Sequence, residues 1–145
     1  MRSRRVDLQL IDENNRVCGV VEFLASDDGK NVALRCAEGL LAEKLYSGVD
    51  YFWTFGEMRD DLLALGYRPL CKGAVKNVFP GGMQGEVSLG LIAYILDAEG
   101  KGVGKVNIFD AASIEELEDV VSFQDHKEYR KKLSQNRRGR GIPTI

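Results

Sequence analysis

Residues 66–83, GYRPLCKGAVKNVFPGGM, are the stretch on which the fold of this chain depends, because a helix, two strands and a glycine-rich turn meet there. Before it, apolar residues recur at steps of four, three, four and three, at Tyr51, Phe55, Met58, Leu62 and Leu65. This spacing predicts an amphipathic helix from about Ser47 to Leu65. We expect Ser47 as its N-cap and Gly66 as the glycine that ends it.

The stretch itself predicts a hairpin. Tyr67 to Cys71 is expected to be a strand that directly follows the helix, and Ala74 to Phe79 its partner, with Lys72-Gly73 at the turn. Pro80 must end the second strand, because proline cannot donate a ladder hydrogen bond. Residues 82–88 are then predicted to be a flexible glycine-rich loop.

The N-terminal third predicts three antiparallel strands. Residues 5–11 and 16–24 both alternate in polarity and are separated by Asp12-Glu13-Asn14-Asn15, a turn sequence in which asparagine tolerates positive φ. The second of these strands is apolar on both faces and should be central in its sheet. Residues 32–37 predict a third strand, and residues 38–46 leave strand and helical turn open.

The C-terminal part begins with a central strand at residues 89–97, followed by a glycine-rich turn and a short strand at residues 105–109. Ser113 and Glu116 form a capping box that predicts a helix to about Val121, and a last helix should run to about Gln135. We therefore predict an α+β fold: one domain at residues 1–135, with a mainly antiparallel sheet of five or six strands against one main helix. Short C-terminal helices complete it, and residues 136–145 should form a mobile basic tail.

Composition narrows the function classes. The 145 residues are 44% hydrophobic and 29% charged, which is typical of a globular domain. Apolar runs are shorter than the ~20 residues that span a bilayer, and no apolar segment follows the basic N-terminus, so we expect a cytoplasmic protein. The three cysteines are widely spaced and are predicted to be reduced and buried, without a disulfide or metal site. We expect no cofactor.

No motif predicts a reaction. His126 is the only histidine, which excludes histidine triads and multi-histidine metal sites, and its position suggests a surface helix residue. Gly100 to Lys105 has the wrong spacing for a phosphate-binding loop and is better interpreted as a hairpin turn. The paired carboxylates are adjacent in sequence, so they do not face each other across a cleft. We therefore predict no catalytic residue.

Charge is distributed unevenly. The net charge is −2, but residues 121–145 carry seven Lys/Arg and two acids, or +5, which leaves −7 for the rest. The polar face of the main helix carries four acids that predict a docking surface for a basic partner or, equally, plain solvation: Asp50, Glu57, Asp60 and Asp61. The tail could contact nucleic-acid phosphates through Arg137, Arg138 and Arg140. A small ligand could bind at the glycine-rich loop through Lys72, Lys76, Asn77, Gly81 and Gly82.

The box Asn77-Val78-Phe79-Pro80-Gly81-Gly82-Met83, followed by Leu89-Gly90-Leu91-Ile92-Ala93-Tyr94, resembles a family of small, uncharacterised bacterial proteins. In that family the box reads Asn-Val-Tyr-Pro-Ser-Gly-Met and precedes a Met-Gly-x-Gly element. The resemblance covers about residues 51–110. This chain has Gly81 where the family has serine. The size and acidity of such proteins are similar to those of immunity proteins that neutralise toxin domains.

Three functions follow as hypotheses. The first is a non-catalytic immunity protein that occludes a basic toxin effector through the acidic helix face. The second is a nucleic-acid-associated module that uses the basic tail. The third is a small enzyme or ligand-binding domain at the glycine-rich loop, Pro80 to Ser88.

Overall fold

The structure is a computed structural model that describes residues 1–81 and 88–139, with side chains through residue 135. It confirms the predicted α+β class. The strands are β1 (Arg2–Ile11), β2 (Val17–Asp27), β3 (Val32–Arg35), β4 (Leu45–Gly48), β5 (Arg68–Pro69), β6 (Val78–Pro80), β7 (Ile92–Leu96) and β8 (Gly102–Asn107). The helices are α1 (Tyr51–Ala64) and α2 (Phe123–Gly139), with 3-10 segments at Lys72–Ala74 and Ile114–Asp119.

The predicted antiparallel sheet of five or six strands is confirmed as a five-stranded sheet, and the described strands also form a second, three-stranded antiparallel sheet that was not predicted. The larger has the order β4-β3-β2-β1-β5, and the smaller has the order β6-β7-β8. Both predicted central strands are confirmed, because β2 lies in the middle of the first sheet and β7 in the middle of the second. Residues 38–46, for which the pattern left strand and helical turn open, form turns and then enter β4, an edge strand.

The predicted hairpin β1–β2 is confirmed. The Asp12 carboxylate accepts hydrogen bonds from the backbone amides of Asn14 at 2.8 Å and Arg16 at 3.1 Å. Asn15 adopts the predicted positive φ of 61°. These local bonds set the register of the hairpin, in which the alternating Val6, Leu8 and Leu10 all face the core.

One face of β2 differs from the prediction. Val21 and Phe23 are buried against α1, but Val20 and Leu24 on the other face are exposed. Cys18 is exposed as well, which corrects the expectation that all three cysteines are buried. The outer face of this sheet therefore combines apolar residues with charged neighbours such as the Arg5–Glu22 pair.

Helix α1 begins and ends through local hydrogen bonds. Its N-cap is Asp50, not Ser47, because Ser47 belongs to β4 and the Asp50 carboxylate accepts from the Trp53 amide at 2.8 Å. Gly66 ends the helix as predicted, with φ of 91°. The amides of Gly66 and Tyr67 donate to the carbonyls of Leu63 and Leu62, which is the Schellman arrangement.

The predicted hairpin at residues 67–79 is wrong. β5 pairs with β1, while β6 pairs with β7 in the other sheet. Between them the chain turns tightly at Lys72–Ala74, where the Gly73 amide donates to the Ile108 carbonyl at 2.8 Å. A Cβ at Gly73 would lie 2.7 Å from the Cβ of Ile108, so this stretch passes from one sheet to the other in direct contact with residues 108–111.

The C-terminal part follows the predicted order with changed boundaries. The β7–β8 turn is organised by Asp97, whose carboxylate accepts from the amides of Glu99 and Lys101. The capping box at Ser113 is present, although the segment it opens is 3-10 rather than α-helical. α2 starts at Phe123 and continues four residues beyond Gln135, to Gly139. Residues 82–87 and 140–145 lie outside the described residues, and with them all of the predicted glycine-rich loop except Ser88 and the last six residues of the predicted tail.

The core joins both sheets to α1. Phe109 connects them, with ring centroids 5.3 Å from Phe23 of β2 and 5.1 Å from Phe55 of α1 in edge-to-face arrangements. Four of the five predicted stripe residues of α1 are buried, and Leu65, at the C-cap, is exposed. α2 closes the other side, since Phe123 and Leu133 are buried.

Gly56→Ala is expected to lower the free energy of unfolding by about 1–3 kcal/mol. A Cβ at Gly56 would lie 2.3 Å from the Phe123 ring, so α1 and α2 would have to separate. Helix propensity would otherwise favour alanine by roughly 0.5–1 kcal/mol. Urea denaturation followed by circular dichroism measures the change. Gly19→Ala is the matched control, because its Cβ would meet only Leu10 at 4.0 Å; an increase in stability for Gly56→Ala would contradict this packing.

Candidate functional site on the exposed faces of α1 and α2

The outward face of α1 carries the acidic group predicted to bind a partner. Glu57 and Asp60 are exposed and lie three residues apart, so their side chains share one face. Among the residues that the structure describes, no Lys or Arg lies within ion-pair distance of either. Leu63, 44% exposed, adds an apolar element beside them.

The other two predicted acids also serve the fold. Asp50 caps α1. Asp61 is half-buried and accepts a hydrogen bond from the Tyr46 hydroxyl at 2.6 Å, and Lys44 lies 3.8 Å away. Burial, together with this bond, raises the pKa of Tyr46. Asp61 therefore joins α1 to β4, and a partner could reach it only from one side.

Two polar residues of α1 that lie outside its apolar stripe are buried. Thr54 lies against Gly48, where a Cβ would come within 2.3 Å of the Thr54 hydroxyl. Arg59 is 3% exposed and points away from the acids. Neither residue belongs to the predicted apolar stripe of α1, but α2 covers the side of the helix on which Arg59 lies.

Arg59 is the centre of a buried polar network with His126, which is 1% exposed and not the surface residue that was predicted. Arg59 Nη1 donates to His126 Nδ1 at 3.0 Å and to the Gly73 carbonyl at 3.3 Å, and Nη2 donates to the Val121 carbonyl at 2.9 Å. His126 Nε2 lies 2.7 Å from the Val78 carbonyl. Since arginine can only donate and a carbonyl can only accept, His126 must be the neutral tautomer with its proton on Nε2.

Both members of this network have shifted pKa values. Burial, and then the charge of Arg59, lower the pKa of His126 to about 3. Burial lowers the pKa of Arg59 to about 10, so it stays charged at neutral pH. Its Nε has no hydrogen-bond partner among the described residues, and its guanidinium lies 5.2 Å from the centroid of the Phe123 ring. The network connects α1, α2, β6 and the turn at Lys72–Ala74, which indicates a structural role.

The predicted ligand loop is only partly described. Lys72 Nζ lies 2.6 Å from Glu116, and Lys76 Nζ lies 3.3 Å from Asp119 and over the Tyr129 ring. Asn77 donates to the Leu96 carbonyl at 2.9 Å and so fixes β6 to β7. Gly81 lies against the Tyr94 ring, and Gly82 is outside the described residues. Both lysines therefore have acidic partners on the 3-10 helix.

A groove that the sequence did not predict lies between α1 and α2. It has a volume of about 460 Å³ and is lined by Trp53, Lys127, Arg130, Lys131, Ser134 and Gln135. Trp53 is 44% exposed and belongs to the outward face of α1. The signal was present in the sequence, because the apolar stripe of α1 leaves its only tryptophan on the polar face. No local pattern in the sequence indicated that Trp53 would lie close to a helix that follows more than seventy residues later.

The predicted nucleic-acid residues continue this helix. Arg137 and Arg138 fall within α2, seven and eleven residues after Arg130 and Lys127, and positions at these intervals return to the same helical face. Arg140 is outside the described residues.

Neither a metal site nor a membrane span is found in the part of the chain that the structure describes. Within residues 1–81 and 88–139, no group of three or more potential ligands could hold a metal ion. In the same ranges, no helix is both long and apolar enough to cross a membrane. Burial raises the pKa of the Cys71 thiol to about 12, which makes it a poor nucleophile.

No protein-family model matches the chain, and no curated protein matches it. The resemblance of the Asn77–Met83 box therefore stays a prediction. The features that bear on function are the exposed faces of α1 and α2.

Proposed function

We propose that this protein is a non-catalytic binding protein that captures a basic protein partner on the outward face of α1. The observation that carries the proposal is the pair Glu57 and Asp60, exposed on a rigid helix with no cation in ion-pair distance among the described residues. A carboxylate without an internal partner keeps its full electrostatic attraction for an approaching protein.

The charge distribution supports the same proposal. Residues 1–120 carry a net charge of −7 and the whole chain carries −2, so at long range the protein favours positively charged partners. Leu63 supplies apolar contact area beside the acids, which a specific interface needs at its centre. Rigid anchoring of α1 through its caps lets a partner bind without an ordering cost in this helix.

The most concrete form of this function is an immunity protein that blocks a toxin effector domain by occlusion. Effectors that act on nucleic acids are commonly basic, and an acidic surface speeds association with them. This form rests on the acidic face of α1 and on the family resemblance of the Asn77–Met83 box. The site would act by covering the effector, so it needs no catalytic group, cofactor or metal.

Reversing the two exposed charges is expected to reduce the association rate roughly tenfold at low salt and to weaken its salt dependence. The partner is first isolated with the tagged protein from nuclease-treated lysate of its own cells, as a stoichiometric basic protein. Association of Glu57→Lys/Asp60→Lys with that purified partner is then measured by stopped flow between about 20 and 200 mM salt.

The matched control is Asp7→Lys/Glu13→Lys. Both residues are exposed on the first hairpin, and the change in net charge is the same. An equal loss of rate in both double variants would reduce the effect to overall charge, and an unchanged rate in the first would exclude this face as the docking surface. Inhibition of the partner's own activity by the wild-type chain distinguishes occlusion from simple binding.

A further inference from the structure

We propose that the groove between Trp53 and the basic face of α2 binds a single strand of nucleic acid, with Trp53 stacking on a base and the α2 cations contacting phosphates. This site adjoins the acidic face of α1, but it does not depend on the function proposed for that face. The juxtaposition of one exposed tryptophan with a row of cations carries the inference.

Trp53 is held as a fixed platform. Its ring packs edge-to-face on Phe52 at 5.7 Å and on Phe123 at 5.5 Å, yet 44% of the residue remains exposed. A tryptophan fixed in this way presents π surface to a ligand without losing side-chain entropy on binding. Base stacking on such a ring tolerates any sequence, because every base has a π face.

The cations are fixed as well. Lys127 Nζ lies 4.8 Å from the centroid of Phe123, and the Arg130 guanidinium lies 5.5 Å from that of Phe79. Neither forms an ion pair with a described residue, and Lys131 is only 3.8 Å from Glu128 at an exposed site. The described lining of the groove includes these three cations and no carboxylate.

The cations extend along the helix in one direction. Lys127, Arg130, Lys131 and Ser134 follow one face of α2. With a rise of about 1.5 Å per residue, the positions from 127 to 134 span about 10 Å. This length suits two or three consecutive nucleotides rather than one isolated phosphate.

A single strand fits these features better than other anions. A duplex keeps its bases stacked inside and could not use Trp53. An acidic peptide would use the cations but would leave the indole without a planar partner. Because the acidic face of α1 borders the groove, the nucleic-acid strand should follow α2. Its affinity for the protein should be modest, with Kd roughly 10⁻⁴–10⁻⁶ M.

Tryptophan fluorescence tests this directly, because Trp53 is the only tryptophan in the chain. The full chain is titrated with a single-stranded oligo-dT of about 20 nucleotides while its intrinsic fluorescence and the anisotropy of a labelled oligonucleotide are followed. We expect quenching of Trp53 that saturates with the anisotropy change, and a Kd that rises steeply between about 50 and 200 mM salt.

Variants separate the contribution of base stacking on Trp53 from that of the phosphate contacts made by the α2 cations. Trp53→Leu should weaken binding about tenfold with an unchanged salt slope. Lys127→Gln/Lys131→Gln should weaken it as well and reduce the slope of log K against log salt by about 1.4, which is about 0.7 for each phosphate that is no longer neutralised. The control Lys30→Gln/Lys101→Gln removes the same charge at exposed residues that are distant from α2 in the sequence. It should change this slope much less. Circular dichroism establishes that each variant is folded.

Three outcomes would overturn the proposal. The first is a blunt duplex that binds as tightly as the single strand or more tightly. The second is equal quenching of Trp53 by poly-glutamate or inorganic phosphate. The third is oligonucleotide binding that is unchanged in Trp53→Leu but abolished by deletion of residues 136–145. The Glu57→Lys/Asp60→Lys variant keeps the two proposals distinguishable. It should slow capture of a basic protein but strengthen oligonucleotide binding, because it removes negative charge beside the groove.

Discussion

Arg59→Met is expected to lower the free energy of unfolding by about 3 kcal/mol, because it removes the guanidinium donors that reach the interior acceptors between α1 and α2. The carbonyls of Gly73 and Val121 and the Nδ1 of His126 would each lose their hydrogen bond from the guanidinium. An unsatisfied buried acceptor costs about 1–3 kcal/mol.

An opposing effect decides the size of this loss. The wild-type chain buries the charge of Arg59 with one unpaired nitrogen, and no described carboxylate forms an ion pair with it. Methionine relieves that desolvation cost and retains most of the packing volume. Replacing a whole buried ion pair by apolar residues can even stabilise a protein, whereas removing one partner alone destabilises it. Here three acceptors remain unpaired after the change, so the loss should exceed the relief.

Urea denaturation monitored by circular dichroism measures the effect. Arg35→Met is the matched control, because Arg35 is exposed on β3, and it should change stability by less than about 0.5 kcal/mol. If Arg59→Met is as stable as Arg35→Met, the guanidinium does not satisfy these acceptors. Arg59→Lys should recover only part of the lost free energy of unfolding, because a single ammonium group cannot donate to all three acceptors that the guanidinium group reaches.

Acidification below about pH 6.5 should destabilise the protein through its single histidine, His126. Burial holds the pKa of His126 at about 3 in the folded chain, against about 6.5 when unfolded. The unfolded state therefore binds one more proton between these values. The stability contributed by neutral His126 is complete above about pH 6.5 and is lost as pH falls toward 3, at up to about 1.4 kcal/mol per pH unit.

Between about pH 6 and pH 4.5 this amounts to about 2 kcal/mol. The physical cause is burial together with the fixed charge of Arg59 at 3.0 Å, to which the charge of Arg130 adds. Asp27 and Glu116 titrate lower. Their burial would raise the pKa, but hydrogen bonds from Tyr51 and Arg2 to Asp27, and from Lys72 to Glu116, lower it below the usual value. Their contributions are thus lost only below about pH 4.

The measurement is the free energy of unfolding from urea titrations at half-unit steps from about pH 7 to pH 4.5. His126→Gln is the control, because it removes the only histidine of the chain and keeps an amide that can donate and accept. Its stability should be nearly independent of pH over this range, even if its absolute value is lower. A wild-type chain with an equally flat profile would show that His126 is protonated as easily when folded as when unfolded.

Local spacing determines much of the fold. The β1–β2 hairpin, the termination of α1 at Gly66 and the capping box at Ser113 all depend on residues within about five positions of each other, so the sequence predicts them well. The N-cap of α1 was misplaced by three residues because both Ser47 and Asp50 are good caps, and the pairing of Ser47 in β4 decided between them.

The candidate site was predictable only in part. The exposure of Glu57 and Asp60 follows from the helical stripe of α1. The burial of Arg59 on the same helix does not, because its partner His126 lies 67 residues away. The groove could not be predicted for the same reason, because no local pattern indicates where α2 lies relative to Trp53.

Composition and the periodicity of neighbouring residues are enough to predict the α+β class, the order of the main elements, the acidic α1 and the basic C-terminal helix. The division into two sheets, the burial of Arg59 with His126 and the contact of Trp53 with α2 are seen only in the folded chain. These outcomes depend on which distant segments pack together, and that choice is made by the combined burial and hydrogen bonding of the whole chain.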